Sequence, residues 1–248
     1  LALEVVLAPD APIAAALPDY PGEGAHRVTV HQLLNHTSGL AQWDRVGSYQ
    51  EAFVNGVEQY QRPMTPDALF RGSCSGRLER TRGTGFVYNN ADYLVLGRIV
   101  ERLTGMAYEE ALAARILRPL GLGSTGMLRW DRIVPRLART YFRRDDNGVL
   151  IADMPVYTEN WDSAGGMYST AADLARFADA LYGGRLLRGA MLERVLTAGL
   201  GHDGHGRHAH GPRLPGLDPR PARPGHRPGH APAHAAGAGL PVRPHLRP

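Results

Sequence analysis

Prolines recur through the last part of this chain and limit what that part can fold into. Ten of the 19 prolines lie in residues 201–248, together with 8 of the 11 histidines and no aromatic residue. Proline breaks a helix or an inner strand. A segment of this composition also buries too little apolar surface to offset its chain entropy. We predict a globular domain over residues 1–200 and a disordered tail over residues 201–248.

Three explanations of the tail stay open. Arg, Pro, Gly, Ala and His dominate when GC-rich DNA is read out of frame, and a frameshift near residue 200 is the explanation we favour. A genuine low-complexity tail is the second. A metal site is the least supported, because no ordered scaffold would fix its four candidate ligands, His202, His205, His208 and His210. The chain starts at Leu1, which we interpret as a truncated start.

The charges of residues 1–200 are balanced, with 21 Arg against 22 acidic residues. This balance argues against a nucleic-acid partner. No run of about 18 apolar residues occurs, so no membrane span is expected, and residues 1–8 lack the pattern of a signal peptide. Cys74 is the only cysteine, which excludes an internal disulfide and a cysteine-built metal site. Localisation and oligomeric state stay open.

Capping residues mark two helices in the first half of the chain. Thr29 and Gln32 fit a capping box, and Gly39 is the predicted stop of that helix. Asn90 is the predicted cap of a longer helix that ends at Gly105. The apolar residues of this second helix recur at the helical period, namely Tyr93, Leu96, Val100 and Leu103.

The second half of the domain predicts three more helices and a hairpin. A helix is expected from about residue 108 to 117, stopped by Pro119 and Gly121. Thr170 and Asp173 begin another helix, and residues 189–197 form a last short one. Residues 145–148, DDNG, indicate a hairpin turn between two short strands.

Several common catalytic motifs are absent. Residues 72–76, GSCSG, fail the G-x-S-x-G pattern because Cys74 stands where serine is needed. No P-loop, Rossmann glycine run or H-E-x-x-H motif occurs. Neither a metal nor an organic cofactor is implied.

Five segments carry a family resemblance. Residues 33–40 read LLNHTSGL, residues 83–93 read GTGFVYNNADY, and residues 163–174 read SAGGMYSTAADL. Residues 118–122, RPLGL, and 16–21, ALPDYP, add two shorter matches in the same order. Over residues 9–197 the chain thus resembles the serine β-lactamase-like and penicillin-binding-protein superfamily, which includes class C β-lactamases, D-alanyl-D-alanine carboxypeptidases and family VIII esterases.

The resemblance implies an α/β (α+β) fold of the β-lactamase/transpeptidase type, with an antiparallel sheet flanked by helices beside a helical lobe. Residues 1–200 would be part of such a domain, mostly helical, with a minor antiparallel sheet that need not form. We therefore expect a marginal fold with uncovered apolar faces.

The family nucleophile is the serine of an S-x-x-K motif, which lies shortly before the segment matching residues 9–21. The chain contains no lysine, so S-x-x-K and the later K-T-G motif are both absent. Residues 202–204, HDG, match an alternative H-x-G motif. They follow Thr170 too closely and lie in the tail, so no role is assigned to them.

Tyr88 and Asn90 match the family's Y-x-N motif and are the candidate catalytic residues. By the resemblance, Tyr88 would help to activate the serine, and Asn90 would bind the lysine or the substrate amide. A phenol with a pKa of ~10 is a poor base at neutral pH unless cations lower that pKa. From spacing alone, the favoured interpretation is a packed core tyrosine at position 88 and a helix cap at Asn90. The family resemblance favours the catalytic interpretation instead. His36 and Ser38 are interpreted as structural residues that satisfy the end of a helix.

The implied activity is hydrolysis through an acyl-enzyme, with a β-lactam, a D-alanyl peptide or a small ester as substrate. The partner would be a small molecule or peptide with an acyl group. The chain as given is expected to be an inactive fragment because S-x-x-K is absent. Two alternatives stay open: a non-catalytic module that binds peptidoglycan peptides or another protein, and a decayed gene product.

Overall fold

The computed structural model describes residues 7–42, 55–56, 58–143, 150–152 and 156–196. All of them belong to one structural unit, residues 1–207. The predicted disordered tail and the predicted hairpin turn at 145–148 lie outside the described residues. The division of the chain at residue 200 therefore stays a prediction.

The described part is mostly helical. Its helices are α1 Ile13–Ala16, α2 Val30–Leu34, α3 Glu58–Gln61, α4 Pro66–Ser73, α5 Asn90–Thr104, α6 Tyr108–Leu112, α7 Arg118–Leu120, α8 Ala171–Tyr182 and α9 Gly189–Leu196. A π-helical segment, Ala113–Leu117, joins α6 to α7, and a 3₁₀ helix spans Thr158–Ala164.

The strands form two antiparallel pairs in the described part. Strand β1, Gly126–Met127, pairs with β4, Met167–Tyr168. Strand β2, Tyr141–Arg143, pairs with β3, Leu150–Ala152, with Phe142 opposite Ile151. The prediction of a mostly helical chain with a minor antiparallel sheet is confirmed, and the two hairpin strands lie where the sequence placed them.

Helix α5 runs through the core. Ala91, Leu94, Val95 and Ile99 are buried along it, and residues of α1, α2 and α4 pack in the same cluster: Ile13, Leu33, Leu69 and Phe70. Burial of these apolar side chains is the main stabilising contribution of the unit. The core thus holds fixed the helix whose first turn follows Tyr88.

The apolar face predicted for α5 is displaced by about one residue from the buried face. Tyr93, Leu96, Val100 and Leu103 are only partly buried. The fully buried positions are their neighbours, because α5 packs on the other helices on one side and on the 3₁₀ helix on the other. When a helix is covered on two sides, its buried residues do not form one apolar face, and the helical period of apolar residues does not identify them.

The helix ends agree with the sequence in part. Thr29 forms a capping box with Gln32, and the Thr170 side chain accepts a hydrogen bond from the backbone of Asp173, both as predicted. The prediction that Asn90 caps α5 is wrong, because Asn89 is the N-cap and Asn90 is the first residue of the helix.

One predicted helix stop is displaced, and of the predicted pair Pro119 and Gly121 only Gly121 ends its helix. Helix α2 ends at Leu34 and not at Gly39. Gly39 instead has a φ of +75°, and a Cβ there would lie 2.3 Å from the carbonyl oxygen of Arg80. The helix predicted from residue 108 continues through Pro119 and ends at Leu120, where Gly121 adopts a φ of 65°.

Large apolar side chains are exposed at several described positions. Ile133 is 95% exposed and Trp130 is 79% exposed. On α8, Leu174 and Tyr182 are each more than half exposed. None of the helices in the described ranges is long and apolar enough to cross a membrane.

Candidate active site

The candidate residues Tyr88 and Asn90 lie at the start of α5 and contact each other. The phenol of Tyr88 donates a hydrogen bond to Asn90 Oδ1 at 2.9 Å. Tyr88 is 58% exposed, so it is not a core tyrosine, and Asn90 is not the helix cap. The two purely structural explanations open at the sequence level are therefore wrong. The structure brings the pair together on an accessible surface.

Asn89, between the two candidates, fixes the backbone of this segment. Its Oδ1 accepts from the backbone N–H of Ala91 at 2.9 Å, which caps α5. Its Nδ2 donates to the carbonyl oxygens of Leu40 and Ala41, each at 3.0 Å. Asn89 is almost fully buried, and this amide therefore joins the helix start to the segment that follows α2.

The turn after α2 forms the floor of the site. The backbone N–H of Val87 donates to the carbonyl of His36 at 2.9 Å, and Gly83 donates to Thr37 at 2.8 Å. Gln42 donates to the carbonyl of Tyr88 at 2.7 Å. These bonds align residues 83–88 with residues 36–42, so that the segment before α5 is fixed against the turn after α2.

A buried carboxyl group lies beneath this floor. Asp92, fully buried in the first turn of α5, accepts a hydrogen bond from Ser38 Oγ at 2.5 Å. Its other oxygen lies 3.2 Å from His36 Nδ1. Burial raises the pKa of Asp92 above its ordinary value of 3.8, and the bonds from His36 and Ser38 act in the opposite direction. The carboxyl group is thus buried with two polar partners.

His36 and Ser38 do not close α2 with their side chains. The backbone N–H groups of Asn35, His36 and Thr37 bond the last carbonyls of α2, while the side chains of His36 and Ser38 contact Asp92. Sequence reasoning missed Asp92 and Asn89 as members of the site.

Comparisons with known proteins identify the family of this chain. Residues 1–215 match the family model described as Beta-lactamase. The chain belongs to the beta-lactamase family. Within it, the chain is 26% identical over 188 residues to the putative penicillin-binding protein PbpX of Bacillus subtilis, which covers 76% of this chain and 43% of that protein.

The chain is also similar to two proteins that are named as hydrolases. Esterase EstB of Burkholderia gladioli is 35% identical over 49% of this chain and 32% of its own length. The crystal structure of a D-stereospecific amidohydrolase from a Streptomyces species matches with a TM-score of 0.65 and 27% identity, over 78% of this chain and 58% of that one. The β-lactamase/transpeptidase-like fold is therefore confirmed. The chain spans less than half the length of these two curated relatives.

The single cysteine of this beta-lactamase family member is buried and ends α4. Burial raises the pKa of the Cys74 thiol to about 12. Thiolate is the nucleophilic form of cysteine, so Cys74 is unsuited to replace the family serine. In the described ranges, no group of three or more His, Cys, Asp or Glu side chains could hold a metal ion.

Proposed function

We propose that this chain carries the tyrosine and asparagine of a serine hydrolase active site that works through an acyl-enzyme. The observation that carries the proposal is the exposed Tyr88 phenol, bonded to Asn90 at 2.9 Å. Both residues lie on the segment that resembles the family's Y-x-N motif. The buried Asn89 holds that segment at the start of a core helix, which suits a site that must keep its geometry.

Acyl transfer needs a nucleophile, a proton acceptor and donors that stabilise the developing oxyanion. In the proposal, Tyr88 takes the proton that the attacking serine releases and later delivers it to the leaving group. Asn90 accepts from Tyr88 through Oδ1, which leaves its Nδ2 protons to donate to the substrate carbonyl. Tyr88 needs a nearby cation for this role, because a phenol is a weak base at neutral pH.

The S-x-x-K motif that carries the family nucleophile is absent from these 248 residues. They contain no lysine, so they hold neither S-x-x-K nor K-T-G. We propose that the chain alone does not form an acyl-enzyme, and that Tyr88 acts only in a protein that also contains S-x-x-K.

The proposed substrates share an acyl group that serine can attack. Similar proteins are named as a penicillin-binding protein, an esterase and a D-stereospecific amidohydrolase. These names support a β-lactam, a D-alanyl peptide or amide, or a small ester as the substrate of the whole protein.

Intact-mass measurement of the purified chain after incubation with penicillin G tests the first part of the proposal. No covalent adduct is expected. A stable adduct on a serine would contradict the statement that the chain alone is inactive.

The role of Tyr88 is tested in a longer protein. If the DNA upstream of the Leu1 codon encodes S-x-x-K in frame, that protein should acylate. Tyr88→Phe should then slow acylation by roughly 10²–10⁴-fold. Tyr93→Phe is the matched control, because the Tyr93 hydroxyl bonds the carbonyl of Leu34 instead. Equal acylation by the wild type and Tyr88→Phe would exclude Tyr88 as the proton acceptor.

A non-catalytic binding module is the second candidate, favoured by the absence of lysine from the chain. It predicts that a D-alanyl-D-alanine peptide binds reversibly at Tyr88 and Asn90 with no covalent product. Without S-x-x-K in the upstream DNA, such binding would make this the better explanation. If neither binding nor acylation occurs, a decayed gene product remains.

A further inference from the structure

His36 contacts the candidate residue Tyr88 but has no role in the proposed reaction. Its side chain is only 11% exposed and lies between the buried Asp92 and the exposed Tyr88. The His36 and Tyr88 ring centroids are 4.8 Å apart, with the ring planes inclined by 48°. Phe86 and Tyr93 also pack against the histidine ring, with ring centroids 5.7 and 5.1 Å from that of His36. The imidazole is therefore held within an aromatic cluster that ends at the candidate catalytic phenol.

On its other side, the imidazole of His36 contacts the buried carboxyl group of Asp92. A buried carboxyl group without hydrogen-bond partners destabilises a fold, because it loses the hydrogen bonds that water would make to it. Asp92 is fully buried, and its Oδ1 accepts a hydrogen bond from Ser38 Oγ at 2.5 Å. His36 Nδ1 faces the remaining oxygen at 3.2 Å. Asp92 thereby constrains the orientation of the ring.

One nitrogen of His36 faces two partners. Besides Asp92, the backbone N–H of Asn89 points at Nδ1 at 3.3 Å. A protonated Nδ1 donates to Asp92, and an unprotonated Nδ1 accepts from Asn89. In both protonation states Nδ1 is tied to the first turn of α5 or to the residue before it. His36 thus touches the ring of Tyr88 and the backbone of its neighbour.

We infer that His36 is a positioning residue for Tyr88, and that Asp92 fixes the His36 ring in the orientation that holds the phenol toward Asn90. The inference rests on the proposed function for the importance of Tyr88. It does not require that the chain hydrolyse anything, because the positioning is a property of the folded chain.

The test is NMR on the full chain with ¹³C-labelled tyrosine and histidine, with the Tyr88 signals assigned by Tyr88→Phe. Two variants of Asp92 are compared. Asp92→Asn keeps an acceptor for Ser38 and offers an N–H to His36 Nδ1, so the cross-peaks between the His36 and Tyr88 rings should persist. Asp92→Ala removes both contacts, so those cross-peaks should be lost and the Tyr88 ring signals should move toward those of a freely rotating tyrosine.

His31→Phe is a control for replacing a histidine on the same stretch of chain, and it should leave the Tyr88 signals in place. Folded Asp92→Ala with unchanged cross-peaks would overturn the inference. If Asp92→Ala does not fold, His36→Phe decides. It keeps a ring against Tyr88 but loses Nδ1, so loss of the cross-peaks between the ring at position 36 and Tyr88 supports the inference, and their persistence overturns it.

Failure of this inference is distinguishable from failure of the proposed function. The NMR signals report the position of Tyr88 without substrate or turnover. Acylation by a longer protein reports its chemistry.

Discussion

Ser163 reaches the backbone of α5 at Gly97, at a point where no side chain fits. A Cβ added at Gly97 would lie 2.0 Å from Ser163 Oγ and 2.5 Å from its Cβ. The hydroxyl of Ser163 donates to the carbonyl of Tyr93 at 2.8 Å. The 3₁₀ helix is therefore docked on the same helix that begins at the candidate site.

Gly97→Ala should destabilise the chain by about 1–3 kcal/mol, because the added methyl group displaces Ser163. Alanine has the higher helix propensity by ~1 kcal/mol, so any net loss reports the clash. Gly72→Ala in α4 is the matched control, since a Cβ there meets nothing within 4 Å, and it should be neutral or stabilising. Urea unfolding of both variants measures the difference. Equal stabilisation by the two changes would show that the contact is absent in solution.

Asn89 and Asn90 are adjacent asparagines with different expected sensitivities. Asn89→Ala removes the cap of α5 and leaves the carbonyls of Leu40 and Ala41 without their donor. We expect a loss of about 2–3 kcal/mol. Asn90→Ala should change the free energy of unfolding by less than about 0.5 kcal/mol, because its side chain bonds an exposed phenol. Thermal or urea unfolding checks the pair, and a reversed order would show that Asn90 is the cap.

The buried carboxyl group of Asp92 predicts a pH dependence. Its pKa in the folded chain is raised above 3.8 by burial, so the folded state holds this proton more tightly than the unfolded state. The stabilisation linked to that proton is fully present below pH 3.8 and is lost as the pH rises through the raised pKa. Asp92→Asn cannot ionise, so the stability of the wild type relative to this variant should fall over that pH range. A constant difference between the two unfolding profiles would contradict the prediction.

Cys74 should be protected from thiol reagents in the folded chain. With a pKa raised by burial to about 12, only about one thiol in ten thousand is ionised at pH 8, and thiolate is the reactive form. We expect Ellman's reagent to label the folded chain at least ~100-fold more slowly than the urea-unfolded chain. Rapid labelling without denaturant would mean that the end of α4 opens readily.

The predicted tail should be dispensable for the fold. Removal of residues 201–248 is expected to leave the helical circular dichroism signal and the melting temperature unchanged, because a Pro-rich segment without aromatic residues contributes little burial. A fall in melting temperature of more than ~4 °C would show that residues after 200 pack against the domain.

The sequence predicted what depends on near neighbours in the chain. The caps at Thr29 and Thr170 rest on bonds between residues three apart, so their pattern is legible in the sequence. Gly105 likewise ends its helix as expected. Tyr88 and Asn90 stay candidates, predicted from a motif of the family to which the chain belongs.

What the sequence missed depends on tertiary contacts. Ser38 and Asp92 are 54 residues apart, and no local pattern shows that a hydroxyl would meet a carboxyl group there. The choice between Asn89 and Asn90 as cap is decided by the carbonyls of Leu40 and Ala41, which lie on a distant segment. Packing on two sides likewise obscured the buried face of α5.

The backbone of His36 is left-handed, with a φ of 57°. A residue at this position must therefore meet two separate requirements, one on its backbone conformation and one on its side-chain contacts. Glycine and asparagine adopt this conformation easily, whereas β-branched residues are strongly disfavoured. Only a subset of the residues that meet the backbone requirement also offers a ring to Tyr88 and a nitrogen to Asp92. In a saturation library, glycine and asparagine at position 36 should therefore keep the chain folded but release Tyr88. Selection for folding of this chain and selection for activity of a longer protein that contains S-x-x-K would then retain different residues there.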